Sequence, residues 1–231
     1  MTHKHKRWDN TDLSAYYENV PPALFQKYSI KGGLEEGRDI HLAYPYFANA
    51  ISVMEIGACY GRVIKQILKK GYKGKIYAIE RSKRLFSHLK KKYDGKAHLI
   101  NADIIHFQPE QKFEAILWLW SDISGFPREQ QLSVLEHVSS WLADNGVLIL
   151  ETILHTLAPK NATLVNDQFY MIESEYGNLY GYIPSEQEMQ SYGEQLGFRN
   201  IKHIHYYTST DRERILHIFS NRKRSSIFFE S

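Results

Sequence analysis

Val53-Met54-Glu55-Ile56-Gly57-Ala58-Cys59-Tyr60-Gly61 decides the reading of this chain. Residues 51–56 form a short apolar run that ends in glycine, as a buried strand does. Beyond Gly61, the residues Val63, Ile64, Ile67 and Leu68 recur on one helical face over 61–70. A strand, a glycine turn and a helix therefore follow one another, and glycine in such a turn admits positive φ and a close approach of a ligand to the backbone. A dinucleotide fingerprint needs a glycine two residues after Gly57, where Cys59 stands, and there is no GK[ST] for a phosphate loop.

Outward from this unit the rhythm repeats. Residues 75–79 read as a second strand, and Ser82 as the N-cap of a helix that turns Leu85, Phe86 and Leu89 inward. Residues 97–100 read as a third strand. Residues 113–120 are long and apolar enough for a central parallel strand. Pro127 opens a helix carrying Leu132, Leu135, Val138 and Leu142, and Asn145-Gly146 turns into a fifth strand over 147–153. Residues 154–183 interrupt the pattern with Tyr170, Tyr176, Tyr180 and Tyr182, and read as a lid-like insertion without regular structure. Ser185 and Glu188 form a capping box, Gly197 ends that helix, and residues 198–207 and 215–220 close the chain as a hairpin. The fold class is thus α/β, a Rossmann-like, seven-stranded, mostly parallel sheet with helices on both faces and a C-terminal antiparallel hairpin. Residues 1–50, with helical stretches near 11–27 and 38–50 and an interruption at Pro45, read as a helical cap on a domain over 51–231.

The chain has 231 residues, 43% of them hydrophobic and 24% charged, enough for a large core. Its single cysteine excludes a disulfide scaffold and a cysteine-based zinc site. Eleven histidines include no HExxH, and His203 and His205 alternate along one strand, so no metal is expected. No 18-residue apolar stretch occurs and the basic start has no apolar core behind it, which leads to the expectation of a cytoplasmic protein without a membrane partner. A net charge of +3 is weak for a nucleic-acid binder, although residues 3–7, 81–92 and 221–224 are basic.

Two acidic residues follow the glycine turn at telling places. Glu80 ends the second strand, 19 residues beyond Gly61, where a carboxylate can accept from a ribose diol. Asp103 follows the third strand. The series VMEIGACYG (53–61), IYAIERS (76–82) and LINADIIHF (99–107) resembles the class I S-adenosylmethionine-dependent methyltransferases, over about residues 48–220. Cys59 departs from the middle glycine of that family's turn. The resemblance implies that S-adenosylmethionine is bound and S-adenosylhomocysteine released. It implies that Glu55 organises the turn and the methionine amino group, and that Gly57 and Gly61, with Ala58 between them, floor the pocket. Glu80, beside Arg81, would hold the ribose hydroxyls, Asp103 and Ile104 the adenine, while Trp120, Ser121 and Asp122 border the methyl-transfer site.

Residues 113–123, FEAILWLWSDI, resemble the fourth-strand stretch of small-molecule N-methyltransferases, and no [DNS]-P-P-[YFW] motif is present. The expected activity is methyl transfer to a small-molecule amine or hydroxyl. Methylation of RNA or protein is the less favoured alternative, and a non-catalytic binding subunit of the same fold is another. If a base is needed, Asp122 comes first, then Glu151 and His155. The oligomeric state is not legible.

Overall fold

The computed structural model of the chain describes residues 10–154, 163–164 and 168–222. Seven strands form one sheet in the order β3-β2-β1-β4-β5-β10-β9. They are β1 (Ser52–Ile56), β2 (Lys75–Glu80), β3 (His98–Asn101), β4 (Phe113–Trp118), β5 (Leu142–Ile153), β9 (Phe198–Tyr207) and β10 (Glu213–Arg222). β1 to β5 are parallel, and β10 runs antiparallel between β5 and β9. The order reverses direction at β1 and β4, so the crevice beyond their carboxyl ends is where a ligand fits.

Side chains alternate across the sheet, as the two-residue period requires. Val53 and Leu117 face one core with Ile64 and Ile67 of α4 (Arg62–Lys69) and Leu89 of α5 (Lys83–Tyr93). Met54, Ile116 and Trp118 face the other, with Leu135 and Val138 of α6 (Arg128–Ser139) and Met189 of α7 (Glu186–Gln195). Ser82 caps α5 by accepting from the Leu85 N–H at 3.2 Å, and Ser185 with Glu188 forms the expected capping box on α7.

The N-terminal helices differ from the expected pair. Pro21-Pro22 divides the first stretch into α1 (Asn10–Asn19) and α2 (Pro22–Lys31), because the residue before a proline resists helix while Pro22 suits a first turn. α3 (Arg38–Ala43) gives way at Pro45 to one 3₁₀ turn, Tyr44–Tyr46. This segment is fastened by a buried pair: Arg62 meets Asp39 through two bonds of 3.0 and 2.6 Å and also donates to the Leu34 carbonyl. Glu18 accepts from the Lys83 N–H at 2.7 Å and ties α1 to the start of α5.

Two further expectations are corrected. Leu142 belongs to β5 rather than α6, since it pairs with Phe113, and residues 143–146, with Asn145-Gly146, bulge out before Val147 rejoins at Ala115. Much of 154–183 is not irregular. β6 (Thr163–Leu164), β7 (Phe169–Ser174) and β8 (Gly177–Tyr182) form a second, antiparallel sheet, with Tyr170 and Ile172 of β7 buried. Among the described residues no helix is long and apolar enough to cross a membrane.

Candidate active site

A cavity of about 380 Å³ opens at the carboxyl ends of β1, β2 and β4. Its floor is the turn after β1. The N–H groups of Gly57 and Ala58 both donate to the Ile79 carbonyl, at 3.0 and 3.1 Å. Gly57 has φ 69°, and a Cβ there would stand 2.9 Å from Asp122 Oδ2, so the position requires glycine. Cys59 also holds positive φ, 53°, a conformation unfavourable for a side-chain-bearing residue, and it is steadied by an N–H donated to Glu80 Oε2 at 2.8 Å. The substitution of the middle glycine thus keeps the turn's backbone. Gly61 sits at the back of the turn. A Cβ on it would strike the Tyr93 ring, whose hydroxyl donates to the Gly61 carbonyl at 2.8 Å, so its role is to admit α5.

Glu80, Arg81, Asp103 and Ile104 line one side of the cavity. Glu80 is 6% exposed and accepts one N–H on each oxygen, from Cys59 and from Ser82, both at 2.8 Å. Each oxygen keeps lone-pair capacity for a further donor. Burial pushes its carboxyl up to about 7, against the pull of those two donors. Arg81 pairs with Asp103 at 3.6 Å and lies over the Tyr17 ring, and Asp103 also accepts from the Ile105 N–H.

The raised Glu80 value has a consequence for stability. The folded state holds this proton more tightly than the unfolded state, whose carboxyl titrates near the ordinary 4.5. Stability therefore falls as pH rises from about 4.5 through about 7, by roughly 3 kcal/mol from this group alone. Burial raises Glu55 and Asp122 too, adding in the same direction. Urea unfolding of the cofactor-free protein should show a lower midpoint at pH 8 than at pH 5, and Glu80→Gln should flatten part of that slope. A midpoint that rises over this window would contradict the assignment.

Glu55 lies below the turn, 3% exposed, with one carboxylate oxygen that has no partner among the described residues. It borders a small side cavity with Gly57, Ala58 and Arg62, and burial holds its carboxyl well above the usual range.

After β4 the backbone takes two consecutive left-handed residues, Trp120 (φ 62°) and Ser121 (φ 59°), which end the strand at Trp118 rather than at 120. Such strain persists only where neighbours enforce it. Glu151 does so, accepting the Trp120 N–H at 2.6 Å. Glu151 is itself fully buried and also accepts from the Tyr206 hydroxyl and from Arg214 at 2.9 Å. Three donors hold its carboxylate beneath the loop, an arrangement suited to supporting the backbone there. Asp122 lines the cavity, accepts from Trp118 Nε1 at 2.7 Å, and is raised above the ordinary carboxylate value chiefly by burial. His155 lies outside the described residues.

The opposite wall was only partly foreseen. Tyr170 and Tyr180 of the second sheet line the cavity, whereas Tyr182 turns away to donate to Glu188. Tyr16, Tyr17 and Phe25 of α1 and α2 complete it, and Phe25 and Tyr60 both meet the Trp120 ring edge-on. Among the described residues no cluster of His, Cys, Asp and Glu is arranged to hold a metal.

Residues 53–146 match a family model described as a methyltransferase domain. No curated protein matches the chain by sequence. Several solved structures share its fold. A 1,6-didemethyltoxoflavin-N1-methyltransferase from Burkholderia thailandensis, bound to 1,6-didemethyltoxoflavin and S-adenosylhomocysteine, has a TM-score of 0.69 at 8% identity, covering 96% of this chain and 94% of its own. An S-adenosylmethionine-dependent methyltransferase from Clostridium acetobutylicum gives 0.65 at 14%, covering 87% and 100%. The N-methyltransferase NodS from Bradyrhizobium japonicum, in complex with S-adenosylhomocysteine, gives 0.65 at 16%, covering 93% and 100%. Residues 53–146 thus match a methyltransferase domain, and the whole chain shares the fold of solved S-adenosylmethionine-dependent methyltransferases, with the glycine turn and acidic strand ends set around one cavity.

Proposed function

We propose that the chain methylates a small-molecule amine, with S-adenosylmethionine in the acidic half of the cavity and the acceptor in its aromatic half. The observation that carries this reading is the continuity of the two halves. One cavity runs from Glu80 and Asp103, past Gly57 and Asp122, to the rings of Tyr16, Tyr17, Phe25 and Tyr170.

The residues present fit the cofactor. Glu80 offers carboxylate oxygens to a ribose diol. Asp103 and the apolar Ile104 suit the edge and face of an adenine. Glu55, which borders the side cavity at Gly57, lies where the family resemblance puts the methionine ammonium. Gly61 serves by positioning the turn, and Ala58 by its N–H bond to Ile79. When bound, S-adenosylmethionine supplies a methyl group already activated on a sulfonium sulfur. The chain's own task is then to align the acceptor and exclude water. Tyr16, Tyr17 and Phe25 close one side, and their ring faces suit a cationic amine. Asp122 takes the proton from an amine that arrives charged, and its raised affinity for protons favours that role. Two solved structures of the same fold, a 1,6-didemethyltoxoflavin-N1-methyltransferase and the N-methyltransferase NodS, are named for transfer to nitrogen, which supports a nitrogen acceptor.

Incubation of the protein with S-adenosylmethionine and separate pools of amines, alcohols and RNA tests the reading by mass spectrometry. The expected result is a methylated amine, with S-adenosylhomocysteine formed in equal amount. Asp122→Asn should lower turnover at least 100-fold at neutral pH, with a smaller deficit at high pH, where the amine arrives uncharged. Methyl transfer to RNA alone, steeply weakened by salt, would replace the small-molecule reading.

A further inference from the structure

The two ends of the cavity differ in charge. The cofactor end presents Glu80, Asp103 and Asp122 against Arg81. The far end is lined by Lys31, Arg212 and Arg214, with Glu213 as the lining carboxylate there. Glu213 is engaged already, by His205 Nδ1 at 3.0 Å and the Tyr207 hydroxyl at 3.3 Å.

The three cations are placed by separate parts of the fold. Arg214 is 6% exposed, on β10, where one of its guanidinium nitrogens donates to Glu151. Its Nε is buried and has no acceptor among the described residues. Arg212 precedes it by two residues, at the end of the β9–β10 turn, and its guanidinium has no acceptor among the described residues. Lys31 ends α2 and is brought to the same turn by backbone contacts. The Ser209 N–H donates to the Gly33 carbonyl and the Thr210 hydroxyl to the Lys31 carbonyl, each at 3.4 Å. Its ammonium likewise has no acceptor among the described residues.

The Arg214 guanidinium adds positive charge to the cavity lining, although its Nε is itself closed off from the cavity. Two further cations on the same wall, one of them a planar guanidinium, form a donor set suited to a carboxylate or a phosphate. We propose that this end of the cavity binds an anionic group of the methyl acceptor, so that the substrate is an amine that also carries a carboxylate or phosphate. This deepens, and rests on, the reading of the aromatic half as the acceptor site. The acceptor's acid is held by Arg214, Arg212 and Lys31, and its amine is directed back toward Asp122.

The test uses full-length protein saturated with S-adenosylhomocysteine. Matched pairs are titrated by calorimetry: phenylalanine against phenethylamine, 4-aminobenzoate against aniline, and phosphoethanolamine against ethanolamine. In at least one pair the member that carries the acid should bind tenfold or more tightly than the partner that lacks it. Which pair responds separates carboxylate from phosphate. That preference should fall below twofold in Arg212→Gln and in Lys31→Gln, whose side chains have no internal partners to lose. Both variants should keep wild-type affinity for S-adenosylhomocysteine. Failure of every acidic member to bind, equal binding within each pair, or a preference that survives both substitutions would overturn the proposal. So would a tenfold loss of S-adenosylhomocysteine affinity in the variants, because the cations would then serve the cofactor's own carboxylate. A folded wild type that binds no S-adenosylhomocysteine would overturn the cofactor reading itself and this inference with it.

Discussion

Glu80→Ala is expected to weaken S-adenosylhomocysteine binding by about 100-fold. The carboxylate lines the cavity and still holds lone pairs beyond the two N–H donors of Cys59 and Ser82. Each hydrogen bond from a ribose hydroxyl to a charged acceptor contributes about 1.5 kcal/mol or more, so the loss of two is on the order of 3 kcal/mol. The substitution also releases the Cys59 N–H, and with it the grip on a residue held at φ 53°. Part of the loss therefore comes from a loosened turn. Glu80→Gln separates the two, because its amide keeps one acceptor oxygen and a similar shape. It should lie between the wild type and the alanine variant in a calorimetric titration. Equal affinity in all three proteins would remove Glu80 from the cofactor site.

Glu151→Ala should act on stability first. The carboxylate is fully buried and joins three parts of the fold: the Trp120 backbone after β4, Tyr206 on β9 and Arg214 on β10. Removing one partner of a buried ion pair leaves an uncompensated charge and costs about 3–5 kcal/mol. For a chain of this size that lowers the melting temperature by on the order of 10 °C. A catalytic base would give the opposite pattern, a nearly unchanged melting temperature with turnover lost. Thermal unfolding followed by circular dichroism decides between them. A shift under 2 °C would return Glu151 to the list of candidate bases.

These two carboxylates show where sequence reading is strong and where it stops. The position of Glu80 at the end of β2 was legible because it is local: it closes a strand at a fixed distance from a glycine turn. Ser82, Ser185 and Glu188 were legible for the same reason, since capping depends on residues three apart. Glu151 was placed correctly in the fifth strand, but its meaning lies in partners 55 and 63 residues further along the chain. No local pattern announces them. Leu142 shows a related limit, for its helical spacing was real, yet pairing with Phe113 in the sheet overrode it.

The second sheet escaped notice because its alternation is carried by tyrosines. Tyr170 and Ile172 point inward on β7, and Tyr180 on β8, but a tyrosine counts as readily for a loop as for a core. Gly61 was read as pocket floor on the family's pattern, and only the nearness of the Tyr93 ring shows that it makes room for a helix. The basic end of the cavity was invisible, since Lys31 lies far in sequence from Arg212 and Arg214. The turn that carries Arg212 had been read only as the link between the two strands of the closing hairpin.

The central claim is that the crevice beyond β1, β2 and β4 holds S-adenosylmethionine. Calorimetric titration of the wild-type protein with S-adenosylhomocysteine at pH 7.5 tests it most directly. The account predicts a single saturable site per chain, and a melting temperature that rises with ligand concentration. A folded protein that gives neither binding heat nor a thermal shift would contradict it.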